Sequence, residues 1–235
     1  MSARDAILAK LRAAPREELP RPELDAHFRR FAPPQHSLDA LRGWARAMRA
    51  VKTEVLWVRA DDWHTRLAVW IAQRRPVSML LSDTAHGRRA EAALQGLPTP
   101  PALRFFDRTV DDWKAELFQI EAAFTTARCG IAATGTLVLW PDAQEPRTMS
   151  LVPPLHIVLF DTATLYPDFY SAMRCENWSD GMPSNVLLIS GPSKTADIQL
   201  TLAYGAHGPR ELLVLAQLPE HIDPAQLEQM EEARP

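Results

Sequence analysis

The stretch Ser190-Gly191-Pro192-Ser193-Lys194-Thr195 stands between an apolar run, Val186 to Ile189, and a segment with helical patterning. A glycine, two hydroxyls and a lysine between a strand and a helix are suited to holding a phosphate or carboxylate, because free N–H groups at a helix start point at the anion. In an open α/β sheet such a turn is expected beyond the carboxyl ends of the strands. Lys194 sharpens the expectation, since a cation in a first helical turn opposes the helix dipole and needs compensation. Asp197 three residues on, solvent and a bound anion are the three sources of it. The stretch is not a nucleoside-triphosphate loop. G-x-x-x-x-G-K-[ST] needs two glycines where this sequence has one, and Pro192 removes an N–H.

Other residues have the chemistry to join such a site. In Thr134-Gly135-Thr136, Gly135 either admits a ligand or another backbone closely, or marks a sheet irregularity. Arg147 and His207 are further candidates for anion contact; His207 lies in Gly205-Ala206-His207-Gly208-Pro209, which also reads simply as a turn. The anion-binding candidates are therefore Gly191, Ser193, Lys194, Thr195, Asp197, Thr134, Gly135, Thr136, His207, Gly208 and Arg147. His156 lies inside an apolar run and reads as a hydrogen-bonded core histidine. No HxH or HExxH spacing marks a metal site, no GxSxG elbow is present, and no catalytic residue can be assigned. The two cysteines, Cys129 and Cys175, cannot supply the four thiolates of an iron–sulfur cluster.

The elements that must position these groups follow a regular order. Ser2 and Asp5 match a capping box ahead of Ile7, Leu8 and Leu11, and a proline-rich arm follows with Pro15, Pro20, Pro22, Pro33 and Pro34. Ser37 caps a helix carrying Leu38, Leu41, Ala45 and Met48, beside a basic stripe of Arg42, Arg46, Arg49 and Lys52. Strands at 55–58, 77–81 and 103–106 alternate with helices opened by Asp61-Asp62, by Ser82-Asp83 and by Thr109 with Asp112, the signature of a parallel sheet with helices on both faces. Strands at 134–140 and 155–160 have no helix-length segment between them, so antiparallel pairing is expected and the sheet is mixed. A final βαβ unit is expected: strand 186–189, helix 195–204 stopped by Gly205, and strand 211–215. Residues 1–36 form an N-terminal helix and arm, 37–227 a single α/β domain, and 228–235 an acidic tail.

Composition narrows the function classes. The 235 residues are 46% hydrophobic and 23% charged with a net charge of −3, so no global electrostatic attraction to nucleic acid or an anionic membrane is expected. No apolar run approaches the roughly 20 residues of a membrane-spanning helix, and the start lacks a signal-peptide pattern, so a cytoplasmic location is expected.

Four segments in order, IAATGTLVL at 131–139, SLVPPLHIVLF at 150–160, ISGPSKTADIQ at 189–199 and GAHGP at 205–209, resemble the LUD-domain family. The resemblance covers essentially the whole chain. It implies a mostly parallel mixed α/β sheet similar to the NagB/ribose-5-phosphate isomerase/CoA-transferase-like fold. It also implies a part in lactate utilisation, the oxidation of L-lactate to pyruvate. Two other lactate-utilisation proteins would carry the iron–sulfur clusters, with no cofactor bound by this chain alone and lactate or another small anion as ligand. One position departs from the family pattern: an acidic residue usually precedes Thr-Gly-Thr, and here it is Ala133. That departure weakens an acyl-transfer reading, which would depend on a carboxylate nucleophile. The competing reading is a stand-alone enzyme or binding protein for a phosphorylated or carboxylated metabolite at Gly191–Thr195; a purely structural domain is the third.

Overall fold

A computed structural model describes residues 2–14, 20, 22–29, 37–108, 110–196 and 202–228. The chain divides into two compact units, Met1–Phe31 and Ala32–Pro235. The first holds α1 (Ala3–Ala13) and α2 (Leu24–Arg29). Ser2 and Asp5 form the expected reciprocal capping box on α1, and Ile7 and Leu11 are exposed on it. Pro15, Pro33, Pro34 and Thr109, and the tail beyond residue 228, lie outside the described residues.

The second unit is built on a six-stranded, wholly parallel sheet. Its strands are β1 (Glu54–Val58), β2 (Ser78–Leu81), β3 (Ala102–Phe105), β4 (Ala122–Ala127), β7 (Leu155–Asp161) and β12 (Glu211–Gln217), in the spatial order β1-β12-β7-β4-β2-β3. Strands buried on both faces read as continuous apolar runs, as Leu212 to Ala216 does. Alternate residues of each strand serve opposite cores. Val158, Phe160 and Val214 pack with Trp44, Leu41 and Met48 of α3 (Leu38–Ala50). Ile157, Leu159, Leu213 and Leu215 pack with Trp63, Leu67 and Ile71 of α4 (Trp63–Arg74) and Leu94 of α5 (Ala85–Gln95). Trp63 stacks on Phe124 at 5.5 Å between ring centroids. A third cluster joins Trp113 and Leu117 of α6 (Val110–Leu117) to Leu80 and Met149.

A second sheet has four strands: β5 (Cys129–Ile131), β6 (Thr136–Leu139), β8 (Leu165–Tyr166) and β9 (Leu187–Ile189), in the order β8-β5-β6-β9. Here the expected pairing changes. β6 is antiparallel to β5 and β9 and not to β7, which runs parallel between β4 and β12. β9 is therefore not the first strand of a βαβ unit. The helix expected over 195–204 is also absent from the residues described there: Lys194–Ala196 is β10, Leu202–Tyr204 is β11, and the two pair antiparallel. Gly205, at φ 81°, leads out of a hairpin and does not stop a helix. The remaining helices are α7 (Arg147–Leu151), α8 (Phe169–Cys175) and α9 (Pro224–Glu228).

Candidate functional site

The segments Thr134–Thr136, Ser190–Lys194 and Gly205–Pro209 converge on the end of α3. Gly135 takes a left-handed φ of 58°, and a side chain there would bring its Cβ within 2.5 Å of Ala47 Cβ and 3.2 Å of the Met48 nitrogen. The close approach anticipated at Gly135 is thus to a helix backbone. Trp44 Nε1 donates to the Thr136 carbonyl at 3.3 Å, and the hydroxyls of Thr134, Thr136 and Ser190 form a chain with spacings of 2.7 and 2.6 Å. Gly191, at φ 132°, lies against Val51, where a Cβ would come within 2.5 Å of Val51 Cγ2. Ser193 closes the group. Its N–H donates to the Pro209 carbonyl at 2.8 Å, its carbonyl accepts from Gly205 N–H at 2.9 Å, its hydroxyl accepts from His207 N–H at 3.4 Å, and Gly208 packs on its side chain.

This arrangement does not form the expected anion cradle. No helix begins at Thr195, Pro192 has no N–H, the Ser190 hydroxyl is paired with Thr136, and the polar groups of Ser193 are paired with Pro209, Gly205 and His207. The place in the sheet also differs. Val51 and Thr53 lead into β1 and Pro209 leads into β12, so the cluster lies at the amino-terminal edge of the parallel sheet. Lys194 and His207 are exposed, Thr195 is half-buried, and Asp197 lies outside the described residues. Three residues of the basic stripe are engaged within the fold, and Arg46 is exposed. Arg42 pairs with Asp39 and donates to the Gln226 carbonyl, Arg49 donates to the Val55 carbonyl, and the Lys52 ammonium sits 4.6 Å over the Tyr204 ring.

Arg147 lies elsewhere, beside residues that the sequence did not single out. The chain passes from β2 outward to β3 and then returns to β4 on the other side of β2, so the crevice between β2 and β4 is the topological switch point of the sheet. Ligands of open α/β folds bind outside the carboxyl ends of the strands at such a point. Glu145 occupies it. Its carboxylate accepts from the Ser82 hydroxyl just after β2 at 2.9 Å, and from the N–H and hydroxyl of Thr126 near the end of β4, each at 2.9 Å. The Ser82 hydroxyl, expected to cap α5, is instead 2.9 Å from Thr84 Oγ1; Thr84 is the cap, accepting from Gly87 N–H. Burial raises the Glu145 carboxyl above its ordinary range, against the lowering effect of its three hydrogen bonds.

The loop carrying Glu145 is braced by Asp142, whose Oδ1 accepts from the N–H groups of Gln144 and Glu145 at 2.7 and 2.8 Å. A void of about 10 Å³ lies between Glu145, Thr125, Thr126 and Ser150, scarcely room for one water. Outside it a cleft of about 680 Å³ is lined by Arg147, Asp142, Ser184 and Asn185, and shares Pro141 and Pro146 with the inner void. Asn185 Oδ1, of a residue in the wall of this cleft, is buried with no hydrogen-bond partner.

His156 is a core residue as expected. It is fully buried, Nε2 lies 2.8 Å from Thr125 Oγ1, and burial pushes its pKa down to about 3. A further cleft of about 310 Å³, on the amino-terminal side, holds Arg74, Arg75, Arg210, Glu121 and Glu211; Glu211 pairs with both Arg74 and Arg210. Cys129 is buried and Cys175 exposed, and neither is in a disulfide. Among the described residues no group of three or more His, Cys, Asp and Glu side chains converges as a metal site would, and no helix is long and apolar enough to cross a membrane.

A family model described as the LUD domain matches residues 41–216, from α3 to the end of β12. The chain belongs to the LUD-domain family. An uncharacterized protein of Neisseria meningitidis serogroup B is 49% identical over 233 residues, covering 97% of this chain and 99% of that one. Lactate utilization protein C of Shouchella clausii is 30% identical over 166 residues, covering 68% of this chain and 71% of that one. The counterpart of that name in Macrococcus caseolyticus is 36% identical over a shorter span, 34% of this chain and 36% of that one. A solved DUF162 family protein from Deinococcus radiodurans shares the fold, with a TM-score of 0.51 at 18% identity over 78% of this chain and 99% of that chain.

Proposed function

We propose that this LUD-domain chain is a subunit of a cytoplasmic assembly that oxidises L-lactate to pyruvate, with the iron–sulfur clusters carried by two other lactate-utilisation proteins. The observation that carries the reading is membership of the LUD-domain family, whose model matches residues 41–216. Relatives named lactate utilization protein C supply the process. Two cysteines are too few to ligate an iron–sulfur cluster, which supports placing electron transfer in partners. Anaerobic purification of the assembly from the native host, with and without this chain, tests the reading. Co-purification of iron-bearing partners, and loss of lactate oxidation when the chain is removed, is the expected result. Unchanged lactate oxidation without co-purification overturns it.

A further inference from the structure

The Glu145 carboxylate is held as a bound ligand would be. Ser82 and Thr126 offer two hydroxyls and a backbone N–H to its oxygens, at the carboxyl ends of the two strands that flank the switch point. The donors come from the sheet framework, whereas the acceptor comes from a surface loop between β6 and α7. A loop that needed only a staple would bury a neutral side chain more cheaply than a carboxylate. Burial raises the Glu145 carboxyl above its ordinary range even with these three hydrogen bonds in place. The cleft of about 680 Å³ opens beside it, with Arg147 in its wall.

We propose that the crevice between β2 and β4 is a binding site for the carboxylate of a small organic acid, occupied in the free protein by Glu145 as a tethered competitor. An acid entering from the cleft passes Arg147, displaces the Glu145 side chain, and takes the donors of Ser82 and Thr126. The displaced Glu145 moves into the cleft with its loop. The site lies at the opposite edge of the sheet from the Ser190–Lys194 loop. The choice of acid rests on the proposed role in lactate utilisation; the site itself does not.

A tethered competitor has a measurable signature. If Glu145 fills the site 90–99% of the time, the apparent affinity for a free carboxylate is lowered about 10- to 100-fold. The Thr126 amide, which donates to the carboxylate, is the direct reporter. We would titrate the full chain with sodium acetate and sodium L-lactate against matched sodium chloride, following the Thr126 amide resonance by NMR. The wild type, Glu145→Gln and Glu145→Ala would be compared. Glu145→Gln keeps the side chain's shape but loses the charge and one of the two acceptor oxygens, so it competes more weakly for the donors and an answer survives if the alanine variant fails to fold. The expected result is a saturable shift with a carboxylate but not with chloride, and an apparent affinity about tenfold or more tighter in a Glu145 variant. No carboxylate-specific shift, or equal affinity in the wild type and every folded variant, overturns the proposal. Saturable binding of acetate without L-lactate supports the site and counts against the lactate role. Loss of lactate oxidation on removal of the chain, without binding at Thr126, overturns the site and leaves the role standing.

Discussion

Glu145 and Lys194 invert what their sequence contexts suggest. Lys194 sits in a glycine- and hydroxyl-bearing motif and ends exposed on a strand of an antiparallel pair, whereas Glu145 sits in a polar loop without a motif and ends at the sheet's switch point. The motif was legible because its spacing is local; the Glu145 contacts span 63 residues to Ser82 and 19 to Thr126, and no local pattern encodes them. His156 was legible, because a histidine inside an apolar strand has few fates other than a buried hydrogen bond. Arg75 was not: it ends α4 in the left-handed region, at φ 51° and ψ 51°, where glycine usually stands. Its guanidinium makes a long 3.4 Å contact with the Ala72 carbonyl. Relief of that backbone strain exceeds the entropy that glycine loses, so Arg75→Gly is expected to gain about 0.5–1 kcal/mol. Thermal unfolding checks it, with an increase of about 1–4 °C expected; a decrease would mean that the guanidinium has a role in the arginine-lined cleft.

At the scale of elements, most of the parallel sheet was readable, and the errors have physical causes. β4, a central strand, was missed because Ala122 to Ala127 is built of alanine and threonine around one phenylalanine, without the aliphatic run that marks β2 or β12. Packing selects small residues there: Ala122 and Ala123 are fully buried between flanking strands. The helix expected after Lys194 failed because a short apolar pattern fits either period, and antiparallel pairing of Lys194 with Tyr204 decided it. The Ser82 turn depends on an equally tight fit. A Cβ on Gly87 of α5 would stand 1.9 Å from the Ser82 carbonyl oxygen, a backbone atom that cannot swing aside. Gly87→Ala is expected to cost at least about 2 kcal/mol by forcing α5 away from the end of β2. Urea unfolding measures it, and a change below about 0.5 kcal/mol would show that the loop after β2 yields easily.

For the whole molecule, His156 ties stability to pH. In the fold it stays neutral down to about pH 3, whereas an unfolded histidine takes up a proton near its ordinary 6.5. The unfolded state therefore binds more protons as pH falls through 6.5, and stability is lost in that direction. Between pH 7 and pH 5 this one group accounts for about 2 kcal/mol. Glu145 acts in the opposite sense: its raised pKa lets the fold keep a proton that the unfolded chain has released, so its stability contribution falls as pH rises above the unfolded carboxyl's 4.5. Unfolding free energies at the two pH values, for the wild type and His156→Asn, should show the smaller acid loss in the variant. Equal losses would place the acid sensitivity outside the core.

The role proposed for the whole molecule is as one member of a lactate-oxidising assembly whose partners transfer electrons. The most direct measurement is pyruvate formation from L-lactate in anaerobic extracts of the native host, with this chain removed and then restored as purified protein. The expected result is loss of lactate-dependent pyruvate formation on removal and recovery on restoration, with iron-bearing partners retained on the tagged chain. Undiminished pyruvate formation in extracts lacking the chain would contradict it.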